Sequence, residues 1–162
     1  MTPDLLAFVR VLSAAGVRYV IIGGVAGGLH GALRTTLDLD VVYARDADNV
    51  TRLVEALAPF APYLRGAPPG LPFVLDSPTV TRGLNFTLQT SLGALDLLGE
   101  VVGGGGYHDL QPHTDDVELE GFVCEVVSLR TLIGLKRAAG RPKDNEALAE
   151  LEALLEERDR MS

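Results

Sequence analysis

Val17-Arg18-Tyr19-Val20-Ile21-Ile22 runs into Gly23-Gly24, and the next β-branched segment opens with Asp38-Leu39-Asp40-Val41-Val42-Tyr43. The first run lacks polar alternation, as expected of a strand covered on both faces. Gly23-Gly24 breaks it. In the second run, Asp38 and Asp40 are two residues apart, so a strand places both carboxylates on one face, roughly 6.5–7 Å apart along the chain. Two hard oxygen ligands at that spacing can share one divalent cation or straddle two. Without a cation they repel, and burial raises the pKa of one of them.

A third carboxylate has a similar setting. Asp96 interrupts the apolar run Ala94-Leu95-Asp96-Leu97-Leu98, and a charge inside such a strand needs a partner. If this strand neighbours that of Asp38 and Asp40, the three form a metal cage. Asp96 then serves as general base for an attacking hydroxyl, or as ligand of the metal that activates it. The Gly23-Gly24 turn, with no Cβ in the way and a helix opening behind it, suits phosphate oxygens.

Around these residues the chain alternates helix and strand, then shifts to strands and finally to helices. Thr2 reads as a cap and Pro3 as the first position of a helix carrying Leu5, Phe8, Val9 and Leu12, with Gly16 as its stop. A short helix follows over Val25 to Leu33, and Asp46 or Asp48 caps another that carries Val50, Leu53, Val54 and Leu57. Pro59 to Pro78 reads as loop with at most an irregular strand. Strands are expected over Leu84–Leu88 and Ala94–Leu98, and a hairpin over Val117–Leu119 and Phe122–Val127 through Glu120-Gly121. Ser128 caps a helix that ends at Gly140, and the last helix begins near Lys143 with Leu148, Leu151, Leu154 and Leu155 facing inward. The expectation is an α+β fold: one domain over 1–162, a mixed β-sheet with helices packed on it. Residues 1–100 form the catalytic core, and 101–162 the hairpin and C-terminal helices.

The length of 162 residues and the 47% hydrophobic content suit one domain with a real core. No apolar run approaches the ~20 residues of a membrane helix. The N-terminus lacks the pattern of a secretory signal, and the one cysteine, Cys124, has no intrachain partner, which fits a reducing cytoplasm. A net charge of −8 opposes an extended nucleic-acid footprint. The three histidines are too dispersed for a zinc site.

Ile22-Gly23-Gly24, Asp38-Leu39-Asp40-Val41 and the later strand residue Asp96 resemble the DNA polymerase β-type nucleotidyltransferase superfamily: an apolar residue, a glycine pair, a spacer, Asp-x-Asp, then a third carboxylate. A narrower likeness adds His30-Gly31-Ala32-Leu33-Arg34-Thr35-Thr36 and Leu135-Lys136-Arg137-Ala138-Ala139-Gly140-Arg141-Pro142-Lys143-Asp144. Here the chain is similar to the abortive-infection AbiEii/AbiGii toxin group.

The resemblance implies a nucleotidyltransferase fold and pyrophosphate-releasing transfer from an NTP. The metal is Mg²⁺, two ions, with Mn²⁺ as substitute, held by Asp38, Asp40 and Asp96. It also implies nucleotide-site roles for Gly23, Gly24, Lys136, Lys143 and Asp144, with Lys136 meeting the triphosphate. Arg34 and Thr36 either reach the phosphates or fix the loop beside them. Lys136 and Arg137 equally suit the negative end of a helix without any ligand. The acceptor hydroxyl belongs to a tRNA end, a protein side chain or a small molecule, and a toxin-like member would have an antitoxin partner. The chain ends soon after Asp144, without the further helical domain of the larger toxins, which argues against a long RNA substrate. A non-catalytic binding protein or antitoxin of the same fold remains the alternative.

Overall fold

The computed structural model describes residues 4–33 and 36–162. Among these residues, seven strands form one sheet in the order β3-β4-β5-β2-β1-β7-β6. The strands are β1 (Tyr19–Ile22), β2 (Asp38–Tyr43), β3 (Tyr63–Leu64), β4 (Phe86–Thr90), β5 (Gly93–Leu98), β6 (Thr114–Leu119) and β7 (Phe122–Val127). The sheet is mixed: β2 runs antiparallel to β1 and parallel to β5, and β1 runs parallel to β7. The α+β expectation holds.

Helix α1 (Leu5–Ala14) starts later than Thr2 would place it, because Asp4 is the cap and accepts from the Ala7 N–H at 3.1 Å. Thr2 and Pro3 lie outside the described residues. Helix α2 spans Gly23–Leu29, opening at the glycine pair itself and ending short of Leu33. Asp46 rather than Asp48 caps α3 (Ala47–Leu57), accepting from Asn49 N–H.

The segment read as proline-rich loop contains both β3 and a helix, α4 (Ser77–Arg82). Pro78 occupies the first turn of α4, where its missing N–H costs nothing, and Asp76 caps it. After β5 comes the single-turn α5 (Tyr107–Leu110). Helix α6 (Leu129–Ala139) begins at Ser128 and stops at Gly140 with φ of 62°, as its sequence predicts. The last helix, α7 (Asn145–Met161), starts two residues beyond Lys143.

β6 is one edge of the sheet and exposes Asp115, Asp116 and Glu118. Its hairpin to β7 turns at Glu120 and Gly121, with φ of 53° and 79°, the doubly positive turn that matches strand twist. In the centre, Leu39 and Val41 of β2 and Leu95 and Leu97 of β5 are buried, each stabilising the sheet by about 1.5–3 kcal/mol. That apolar layer lets the opposite face of the same two strands carry charge. Among the described residues no helix is long and apolar enough to cross a membrane.

Candidate active site

The parallel register of β2 and β5 sets Asp38 opposite Ala94 and Asp40 opposite Asp96. Residues aligned this way share a face, so the three carboxylates converge. One oxygen from each of Asp38, Asp40 and Asp96 lies within 4.8 Å of the other two.

The electrostatics are those of a crowded acid cluster. Burial raises Asp40 to a pKa of about 9, with the Asp38 and Asp96 carboxylates adding to the rise. Asp96 is also raised, first by burial and then by Asp38. Asp38 moves the other way: burial opposes its charge, but hydrogen bonds from Asp40 and Asp96 and the positive Arg65 and Lys143 outweigh it. The cluster therefore shares protons when it has no cation.

Asp40 Oδ1 is buried and has no hydrogen-bond partner among the described residues. An orphaned carboxyl oxygen in an all-carboxylate donor set fits a hard divalent cation such as Mg²⁺ or Mn²⁺.

The glycine pair is tied to this cluster by contact. Gly23 has φ of +69°, and a Cβ there would lie 2.2 Å from Asp40 Oδ2. A Cβ on Gly24 would meet Thr36 Cγ2 at 2.4 Å. Both glycines are thus required for the turn to close over Asp40 and Thr36, a packing demand beyond the open backbone that a phosphate needs. Arg34 lies outside the described residues.

A cavity of about 340 Å³ opens beside the cluster, reaching from Gly23, Asp40 and Asp96 to Leu98, Asn85, Glu100 and Val102. Lys136 and Arg141 line its other side. Asp144 accepts from Arg141 Nε at 2.7 Å and lies 3.9 Å from Lys136 Nζ, so it orients both cations. Lys143 is close enough for its charge to act on Asp38. Arg137 instead pairs with Glu152 at 3.3 Å.

The structure adds Arg65 and Arg141 to the residues picked out above. Arg65 Nη2 donates to Asp96 Oδ1 at 2.7 Å and to the Leu88 carbonyl at 2.8 Å. Its proline-rich surroundings carry no periodicity that would announce it. The one available signal was the need of Asp96 for a partner. His30 is buried, its Nε2 held against the Val127 carbonyl at 2.8 Å, away from the cluster.

No protein-family model matches the sequence, and no curated protein matches it significantly. Solved structures do match in fold. The lincosamide antibiotic adenylyltransferase LnuA, with lincomycin bound, superposes at a TM-score of 0.60 and 15% identity, covering 93% of this chain and 96% of LnuA. A protein of Thermotoga maritima described as a candidate nucleotidyltransferase gives 0.54 and 18%, covering 88% and 91%. An antigenic nucleotidyltransferase-like protein of Paracoccidioides brasiliensis gives 0.57 and 17%, covering 93% and 75%. At these identities the likeness is one of fold, and the fold is nucleotidyltransferase-like.

Proposed function

We propose that this protein transfers a nucleotide from an NTP to an acceptor hydroxyl and releases pyrophosphate. The observation that carries this reading is the convergence of Asp38, Asp40 and Asp96 to within 4.8 Å on two adjacent strands. Bound Mg²⁺, or Mn²⁺ in its place, would neutralise the carboxylates and phosphates and supply Lewis acidity. Asp38 and Asp40, with Asp96, are the residues to hold it.

The remaining chemistry belongs to the chain. Asp96 takes the proton of the acceptor hydroxyl, the oxygen attacks the α-phosphorus, and the bond to the leaving pyrophosphate breaks in line. Lys136 and Arg141, steadied by Asp144, meet the negative charge of the triphosphate, with Lys143 beside them. The backbone of Gly23 and Gly24, with Thr36 and Arg34 following α2, positions the phosphates. Catalysis in this scheme is positioning and electrostatics.

For the acceptor, the name of LnuA offers a small-molecule precedent within the fold. A net charge of −8 also disfavours a long RNA footprint. A tRNA end or a protein side chain would place the chain with the toxin-like AbiEii group, with an antitoxin partner. A cytoplasmic location, where NTP and Mg²⁺ are supplied, is part of the same reading.

The test is a thermal shift screen with four NTPs, with and without Mg²⁺. A ligand at a hundredfold excess over its Kd stabilises by about 2.7 kcal/mol. Stabilisation by an NTP only when Mg²⁺ is present is the expected result, and no shift with any NTP removes the reading. Incubation with α-labelled NTP and either total tRNA, cell-extract protein or lincosamides then identifies the acceptor.

A further inference from the structure

We propose that Arg65 is the internal counter-ion of the carboxylate cluster and sets how tightly the cluster holds a divalent cation. The proposal rests on the metal-binding part of the functional reading above.

Among the described residues, Arg65 is the one cation joined by an ion pair to Asp38, Asp40 or Asp96. Lys136 and Arg141 are turned to Asp144 instead. The backbone aims Arg65 deliberately. Its N–H donates to the Thr87 carbonyl at 3.0 Å, extending the β3–β4 ladder by one residue. Thr87 in turn sits opposite Asp96 in the β4–β5 register. Cross-strand partners share a face, so Arg65, Thr87 and Asp96 form a row across three strands that ends at the cluster.

A second observation points to the same place. Among the described residues, the two buried side-chain polar atoms without a hydrogen-bond partner are Asp40 Oδ1 and Arg65 Nε. One is an acceptor on the cluster and the other a donor on its counter-ion. Buried polar atoms are ordinarily paired, and here the exceptions coincide at one site.

Three crowded carboxyls without a metal are held together by protons and by positive charge, and Arg65 supplies one unit of charge permanently. A divalent cation enters a cluster that is already partly neutralised, and so binds less tightly than three free carboxylates would hold it. Arg65 therefore trades metal affinity for the integrity of the empty site.

The test compares wild type, Arg65→Gln and Arg65→Lys for Mn²⁺ binding by calorimetry, with melting curves of each metal-free protein. Removing a unit charge at the edge of the cluster, discounted for the partial exposure of the pair, should lower the Mn²⁺ Kd about tenfold in Arg65→Gln. The same variant should melt at a lower temperature without metal. Arg65→Lys keeps the charge and should bind Mn²⁺ within about twofold of wild type. A merely structural Arg65 gives the opposite sign: a loosened cluster, weaker Mn²⁺ binding and no rescue by lysine. Mn²⁺ binding to Arg65→Gln that is no tighter than wild type overturns the proposal and leaves the functional reading standing. If none of the three proteins binds Mn²⁺, both fall. Should Arg65→Gln be unfolded without metal, saturating Mn²⁺ must refold it, and failure to do so counts against the proposal.

Discussion

The two ends of β2 each hold a polar side chain against the core, and they treat it in opposite ways. Just beyond the C-terminal end, Asn49 of α3 is fully buried, and both polar atoms of its side chain are paired. Its Oδ1 accepts from the Arg18 N–H at 2.7 Å, and its Nδ2 donates to the carbonyls of Ala44 and Arg18 at 2.7 and 3.1 Å. Near the N-terminal end, Asp40 is crowded by two other carboxylates and keeps one oxygen unpaired. The amide stitches α3 to the strand ends and leaves neither of its polar atoms without a partner. Ionised, this carboxyl is a cost to the fold that a bound proton or an added cation relieves. Saturation marks a scaffold residue, and an unmet demand marks a site.

The sharpest way to break this contrast is at its saturated end. Asn49→Leu takes their partner from the Arg18 N–H and the Ala44 carbonyl, while the Arg18 carbonyl keeps the Ala44 N–H at 3.1 Å, and a loss of about 3 kcal/mol in urea unfolding is expected. A loss under about 1 kcal/mol would mean that the Asn49 bonds are incidental.

Next in size is Gly23→Ala. The new Cβ meets Asp40 Oδ2 and the backbone is left at φ of +69°, so about 2 kcal/mol of stability should go, together with Mn²⁺ binding. Retained Mn²⁺ affinity would separate the glycine turn from the cluster.

Asp40→Asn should cost the metal-free protein nothing and raise its stability at neutral pH, while abolishing Mg²⁺-dependent NTP binding. The pH dependence follows. The Asp40 carboxyl keeps its proton in the folded state up to about 9, whereas an unfolded Asp loses it near ~3.9. Between these values the folded state binds more protons, so metal-free stability falls as pH rises from about 4 to about 9. Mg²⁺ should flatten that slope, and Asp40→Asn should reduce it without metal. Melting curves at pH 5 and pH 8 measure both effects. The smallest change is expected from Asp144→Asn, which frees Lys136 and Arg141: stability within about 1 kcal/mol of wild type, with NTP affinity lowered severalfold in calorimetry.

The carboxylates were legible from the sequence because strand period places Asp38 beside Asp40, and because Asp96 stands out in an apolar run. Capping chemistry likewise announced α6 at Ser128 and its end at Gly140. Arg65 escaped notice since its position depends on the β3–β4 register, a long-range pairing that no local pattern encodes. Helix α4 was lost because the whole stretch Pro59 to Pro78 was read as loop, although proline in a first turn starts a helix as readily as it ends one. The start of α1 was misplaced because Thr2 was read as the cap, whereas Asp4 fills that role. Local chemistry thus specified which residues were unusual, while the partners that make them a site came from sheet order.

The register that joins Asp40 to Asp96 also bears on how the protein reaches its native state. β2 and β5 are neighbours in the sheet but are separated in sequence by α3, β3, α4 and β4. The intervening chain must collapse before the carboxylates meet, and such non-local pairings form late and slowly. Cation binding therefore cannot precede folding: no fragment ending before β5 holds the complete set of ligands. A cation selective for the native cluster will slow hydrogen exchange at the amides of β2 and β5, whose exposure requires those strands to separate. Fluctuations that fray α7 alone should remain as frequent with the cation as without it.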